Sequence, residues 1–335
     1  MTQTVVFPQA PMGSTLERLD AGTRVVVNDG DGPWSTAKLR EATRGADALV
    51  AFMTERIDAD LLAQCPRLRL VAGALKGTDN IDIGACTRHG VWVTAVPDLL
   101  RIPTAELAIG LMIGLARDLR EGDSQVRSGQ FTGWRPQLYG MGLAGSRVGL
   151  VGMGAIGRAI VERLAGFGCR ICYHDPNPIS PDEPSASLCR KADLETVLAT
   201  SDIVVTATPL TDRTHHLIGT HALARMPDHA LLINPSRGSV VDEQAIAAAL
   251  ANDQLGGYAA DVFEMEDLSR TDRPDAIPEA LRTHPRTLFA PHLGSAVREN
   301  RRQIEHHAVD NVRRVLSGEP PHDAVNQPVD GIGRC

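Results

Sequence analysis

Gly152-Met153-Gly154-Ala155-Ile156-Gly157 follows the apolar run Val148-Gly149-Leu150-Val151 and opens a stretch of helical character, about 150 residues into a chain of 335. In a G-x-G-x-x-G turn the first glycine permits a tight strand-to-helix turn. The second lets a pyrophosphate approach the backbone, and the third lets helix and strand pack closely. Spacing alone is weak evidence in a chain with 31 glycines, because ordinary turns produce it too. The context strengthens it: a second strand-like run, Arg170-Ile171-Cys172-Tyr173-His174, ends at Asp175, 18 residues beyond Gly157. A carboxylate about 20 residues on is what holds an adenosine ribose through its hydroxyls. The same carboxylate repels a 2′-phosphate, and Pro176-Asn177 brings no cation to offset that, so the pattern predicts NAD in preference to NADP.

The mid-chain position of the fingerprint leaves room for another unit ahead of it, and 335 residues suffice for two domains with a core each. Apolar, β-branched runs are predicted as strands at 4–7, 24–27, 48–52, 68–74 and 91–96, alternating with helices such as 57–64 and 83–89. That alternation predicts a parallel α/β unit. A long helix is predicted from Pro103, at a first-turn position, to about Asp118, linking the two domains. Strands predicted at 202–206, 230–234, 257–262 and 287–290, with a helix at 243–251, complete a doubly wound sheet. A last helix, 296–316, is predicted to return to the first domain. The expected fold is α/β: a Rossmann-type doubly wound parallel sheet domain, 99–291, plus a smaller flavodoxin-like α/β substrate domain. The latter is discontinuous in sequence, 1–98 and 292–335, and the site is expected in the cleft between the domains.

Composition narrows the function classes. Hydrophobic residues at 43%, charged residues at 22% and a net charge of −7 fit a globular protein and argue against a nucleic-acid surface, which needs clustered cations. The apolar stretch 107–116 is too short to span a bilayer, and Met1-Thr2-Gln3-Thr4 lacks a basic leader, so the expectation is a cytoplasmic protein without membrane contact. The cysteines, at 65, 86, 169, 172, 189 and 335, follow no disulfide framework. Cys169 and Cys172 have redox-motif spacing but fall on opposite faces of a predicted strand, which favours small buried side chains. His215-His216 and His306-His307 lack a third ligand at metal spacing, so no metal is expected.

Chemistry on a nucleotide sheet gathers at the carboxyl ends of its strands. Three residues stand there: Arg237 after Asn234-Pro235-Ser236, Glu266 after Asp261-Val262-Phe263-Glu264-Met265, and His292 after Pro291. Singly, each has an ordinary reading as a solvated loop residue or a structural histidine. Together they divide the labour of hydride chemistry on an anion: a guanidinium forks onto an oxyanion, an imidazole takes a proton, and a carboxylate fixes its tautomer.

The segments Leu232-Ile233-Asn234-Pro235-Ser236-Arg237-Gly238-Ser239-Val240-Val241-Asp242-Glu243, Gly257-Tyr258-Ala259-Ala260-Asp261-Val262-Phe263-Glu264 and Pro291-His292-Leu293-Gly294-Ser295 join the glycine fingerprint in a pattern. That pattern resembles the D-isomer-specific 2-hydroxyacid dehydrogenase family over nearly the full length. The resemblance implies that Arg237, Glu266 and His292 are the substrate arginine, the orienting glutamate and the acid–base histidine. It also implies cofactor contacts at Lys76, Leu100, Thr104, Gly152, Gly154, Ala155, Ile156, Asp175, Pro176, Ala207, Pro209, Pro235, Ser236, Arg237, Asp261, His292 and Gly294.

One segment departs from the hydroxy-acid pattern. Ala74-Leu75-Lys76-Gly77-Thr78-Asp79-Asn80 carries a cation where small residues are usual. With Ala51-Phe52-Met53, Gln125-Val126-Arg127-Ser128-Gly129 and Gly133-Trp134-Arg135-Pro136-Gln137-Leu138-Tyr139-Gly140, it resembles the phosphite dehydrogenases within that family from about residue 46 to residue 328. Phosphite is compact, tetrahedral and able to carry two charges, so Lys76 opposite Arg237 suits it better than a planar carboxylate. A surface lysine is the ordinary alternative. The resemblance places Met53, Lys76, Gly77, Arg237, Trp134 and Tyr139 at the substrate and Arg301 in support close behind them, while Arg298 and Arg302 read as solvated charges of the predicted helix. It implies a homodimer in which the segment bearing Phe131, Trp134 and Tyr139 crosses to the partner; a local mini-core of these aromatics is the alternative. Ser236 stands where cysteine is common in phosphite enzymes, and residues 1–45 depart from those relatives. Two other functions stay open: a D-2-hydroxyacid dehydrogenase of the glyoxylate/hydroxypyruvate reductase type, and an NAD-sensing binding protein of the corepressor type.

Overall fold

Runs such as Val5-Val6-Phe7 and Ala48-Leu49-Val50-Ala51 are apolar on both faces, which is the signature of strands covered on both sides of a parallel sheet. The computed structural model describes residues 2–328. Cys335, and the end of the returning segment expected to reach 335, lie outside the described residues. The strands are β1 Thr4–Phe7, β2 Arg24–Val27, β3 Ala48–Ala51, β4 Leu70–Gly73, β5 Trp92–Thr94, β6 Arg147–Val151, β7 Arg170–His174, β8 Cys189–Lys191, β9 Ile203–Thr206, β10 Leu231–Asn234, β11 Gly257–Ala260 and β12 Thr287–Phe289. They form two sheets, in two compact units.

Among the described residues the first unit comprises 2–100, 268–271 and 297–328. Its sheet runs β2-β1-β3-β4-β5 and is parallel throughout, the flavodoxin-like order. Leu39, Leu61, Leu62 and Ala85 from three short helices cover one face. The other face is covered by the helix Arg298–Ser317, whose Ile304, Ala308, Val312 and Val315 recur at helical spacing. The edge at β5 is capped by later chain: Val325 N donates to Val93 O, and Asn326 Oδ1 accepts from Val93 N at 2.7 Å.

The second unit comprises 101–267 and 272–296. Its parallel sheet runs β12-β11-β10-β9-β6-β7-β8, the doubly wound arrangement in which the strand order reverses between β6 and β9. The buried helix Arg101–Ala116 packs against β10, β11 and β12. Two expectations need correction here. The apolar stretch at 107–116 is part of a longer helical run, Asp98–Ala116, which is long and apolar enough to cross a membrane by length and composition. Its apolar side chains Ala105, Ala108, Ile109, Leu111, Met112 and Leu115 are instead committed to the core. The helix ends at Ala116 and not near Asp118, because Asp118 takes a left-handed φ of 49° that starts a separate helix, Leu119–Arg127.

Residues 292–296, allotted from the sequence to the returning segment, belong with the second unit. Leu293 N and Gly294 N donate to the Asp261 carboxylate, and Thr104 Oγ1 donates to Gly294 O, which ties this segment to β11 and the core helix.

Candidate active site

The fingerprint turn has the shape its glycines demand. Gly152, at φ 105°, leaves β6 so close to Ala207 that a Cβ would lie 2.4 Å from the Ala207 carbonyl oxygen; one at Gly157 would lie 2.5 Å from Gly152 O. A Cβ at Gly154 would meet nothing within 4 Å, so the space at this residue is open to a ligand. Gly154 caps the helix Ala155–Leu164, whose first amides, at Ala155 and Ile156, offer a phosphate their unpaired N–H groups. At the end of β7, Asp175 Oδ2 accepts from Met153 N and Oδ1 from Asn177 N, both at 2.8 Å. Each oxygen keeps a further acceptor direction for a ribose hydroxyl. The donor set therefore fits a dinucleotide.

On the far side of the switch point the strand ends are knotted together. Asn234 Oδ1 accepts from Thr206 Oγ1 at 2.7 Å and from Ser236 Oγ at 2.8 Å, while Asn234 Nδ2 donates to Arg237 O at 2.9 Å. Ser236 thus serves the loop itself, fixing Pro235, Ser236 and Arg237 at the end of β10. Pro209, beyond Ala207 at the end of β9, accepts from Thr214 Oγ1 at 2.6 Å.

The same unit brings Arg237, Glu266 and His292 onto adjacent segments. Arg237 Nη1 donates to Ser236 O at 2.9 Å, and Gly238 follows it so close to the Phe263–Glu264 peptide that no side chain would fit. The turn Glu264–Glu266 is stapled shut by Glu266 Oε1, which accepts from Phe263 N at 2.8 Å. Glu266 Oε2 lies 2.6 Å from His292 Nδ1. This places the Nδ1 proton against the carboxylate and leaves Nε2 as the acceptor toward a substrate. Asp261 holds the histidine loop: its carbonyl accepts from His292 N at 2.8 Å, and its carboxylate accepts from Leu293 N at 2.6 Å and Gly294 N at 2.8 Å. Burial pushes the Asp261 carboxyl above its usual range, against the pull of these two amides.

The first unit carries the other predicted anion-binding residues. Lys76, on the loop after β4, is exposed and pairs with Asp98 at 3.2 Å, both side chains being half exposed. Gly77 follows it, and Met53 packs partly into the core beneath β3. Arg301 lies over the Phe52 ring, 4.7 Å from its centroid, and donates to Ala74 O at 3.3 Å, bracing the Lys76 loop from below. Leu100 ends the first segment of this unit. Two residues here carry no sequence signal. Buried Glu305 pairs with Arg301 at 3.3 Å and accepts from Met12 N at 2.7 Å, so the segment from residue 8 to 13 is built into the Arg301 support. Glu55 accepts from Phe52 N at 2.6 Å and shapes the turn that presents Met53; burial raises its carboxyl above the usual range.

The aromatic segment is not a mini-core. Trp134 is 83% exposed, Tyr139 82% and Phe131 52%, and Leu119 and Val126 of the preceding helix are exposed beside them. Two of the paired histidines meet acids: His216 lies 2.9 Å from Glu264 and His307 3.0 Å from Asp323. Among the described residues, no group of three or more His, Cys, Asp or Glu is placed to hold a metal ion. Arg302 pairs with Glu299 on its exposed helix face.

Residues 109–294 match the NAD binding domain of the D-isomer specific 2-hydroxyacid dehydrogenases. The chain is 38% identical over 298 residues to glyoxylate reductase of Thermococcus litoralis, covering 87% of each protein. It is also 38% identical over 334 residues to glyoxylate reductase of Aeropyrum pernix, covering 97% of this chain and 94% of the other. A solved protein of Thermus thermophilus superposes with a TM-score of 0.87 at 33% identity, over 97% of this chain and all of that one.

Proposed function

Because this chain belongs to the D-isomer specific 2-hydroxyacid dehydrogenase family and carries its NAD-binding domain, we propose that it transfers a hydride from phosphite to NAD, yielding phosphate. The observation that carries the choice of phosphite is Lys76. It is an exposed ammonium on a backbone loop braced by Arg301, and the Asp98 carboxylate it pairs with is itself half exposed. Exposed ion pairs of this kind are worth about 0–1 kcal/mol, so an anionic substrate recruits the lysine at little cost.

In this reading Lys76, the Gly77 amide and Arg237 neutralise the anion, and Met53 packs against it. Bound NAD supplies the hydride acceptor. The P–H bond breaks with its electron pair leaving as hydride, a water oxygen bonds to phosphorus, and the water proton passes to His292 Nε2. Glu266, 2.6 Å behind the ring, stabilises the imidazolium that results. Arg237 and the substrate's own oxygens are the competing proton acceptors. Asp175 favours NAD over NADP: its carboxylate, fixed by Met153 N of the fingerprint and by Asn177 N, accepts from ribose hydroxyls and repels a 2′-phosphate. The exposed Phe131, Trp134 and Tyr139 support a homodimer built through this segment.

A second reading is reduction of glyoxylate or a related 2-oxo acid, with His292 as the proton donor. The relatives at 38% identity are named glyoxylate reductases, and those names back this reading more directly than they back phosphite. NAD-dependent turnover of phosphite, compared with NADH-dependent turnover of glyoxylate and hydroxypyruvate, separates the two. Absence of turnover with all of them would revive the NAD-sensing role, which the His292–Glu266 pair argues against.

A further inference from the structure

Behind the His292–Glu266 pair lie three more acids that the chemistry above does not use. Glu243 is 1% exposed, and Glu264 and Asp267 are also buried. Glu243 opens the helix Glu243–Ala251, and Glu264 opens the turn that carries Glu266. The two brace each other reciprocally: Glu264 N donates to Glu243 Oε1 at 2.9 Å, and Glu243 N donates to Glu264 Oε1 at 2.8 Å. Glu264 Oε2 meets His216 Nε2 at 2.9 Å, and Asp267 Oδ2 accepts from Ser239 N at 2.6 Å. Glu243 Oε2, by contrast, is buried without a hydrogen-bond partner.

An ionised carboxylate with a buried, unpartnered oxygen among other acids is unfavourable. The charged and titratable groups that bear on Glu243 are Glu264, Glu266 and Asp267 from the turn and the residue after it, Tyr258 from β11, and His216 through Glu264. Burial, with the charges of Glu264, Asp267 and Glu266 behind it, pushes the Glu243 carboxyl up to about 7. Tyr258 is lifted by burial first and then by Glu243 itself.

We propose that Glu243 is a positioning residue for the acid–base pair: its reciprocal hydrogen bonds with Glu264 hold the turn that presents Glu266 to His292. This rests on the reading of His292–Glu266 as that pair. Glutamine at this position keeps an oxygen to accept from Glu264 N but cannot ionise.

The test is kcat and KM, measured separately, for the full-length enzyme and its Glu243→Gln and Glu243→Ala variants, alongside their melting curves. Glu243→Gln, which keeps the acceptor for Glu264 N, should hold kcat near the parent value. Glu243→Ala, which loses the brace, should lower kcat with little change in KM, and glutamine should restore it. Parent kcat in a folded Glu243→Ala overturns the proposal, and so does a loss of kcat in Glu243→Gln at an unchanged melting temperature, so glutamine decides the matter even if alanine does not fold. Full activity in His292→Asn would overturn the underlying reading instead, and that outcome is visible without any variant of Glu243.

Discussion

Glu266 Oε2 stands 2.6 Å from His292 Nδ1, and the histidine is held at a backbone φ of 56°. A left-handed φ is uncommon outside glycine and is tolerated by histidine only when its surroundings enforce it. Asp261 enforces it here, through one carbonyl and two carboxylate hydrogen bonds to residues 292–294. The loop conformation is what aims the imidazole at Glu266, so the pair and its support form one device.

Removing either half of the pair should cost rate without much loss of fold. His292→Asn is expected to lower kcat by about 10²- to 10⁴-fold, the range for a positioned general acid or base. Glu266→Gln should lose less and should change the pH profile, because the amide cannot stabilise the imidazolium. Steady-state rates across pH check both, and a Glu266→Gln profile that matches the parent would remove the carboxylate from the mechanism.

Lys76→Ala should raise the phosphite KM and lower kcat/KM by about ten- to a hundredfold, the worth of a charged hydrogen bond. Stability should stay within about 0.5 kcal/mol, since the side chain is exposed. Unchanged phosphite kinetics would remove the main reason for preferring that substrate.

Asp175→Ala should relax the cofactor preference toward NADP by removing both the ribose acceptor and the charge that repels a 2′-phosphate. The ratio of kcat/KM for NAD to that for NADP reads this directly. A ratio that holds would place the selectivity elsewhere than β7.

The aromatic segment makes a prediction about assembly. Replacing Phe131, Trp134 and Tyr139 together by serine should leave the fold intact, because none of the three is buried, and should shift sedimentation from dimer to monomer. A parent protein that sediments as a monomer would dismiss the proposed interface.

The parallel strands and the fingerprint were legible because their signals are local. Fully buried strands appear as unbroken apolar runs, and the glycine turn needs its three glycines within six residues. The edge strand β8, Cys189–Lys191, was not legible: it is three residues long, two of them are charged, and it is exposed. Pro103 pointed to the helix start but sits two residues inside it, still in the first turn, where a missing N–H costs nothing. Arg237, Glu266 and His292 could be picked out by their places at strand ends. Their supports could not, since Asp261 acts on residues about 30 positions away and Glu305 on Met12 across 293, distances at which no sequence period carries information.

The most direct test of the central claim is a steady-state comparison in which the purified enzyme is given NAD with phosphite and, separately, NADH with glyoxylate or hydroxypyruvate. The account predicts NADH formation that depends on phosphite and matches phosphate release one for one, at a kcat/KM well above that for either carbon acid. Turnover of the carbon acids alone, with no NADH formed from phosphite, would contradict it.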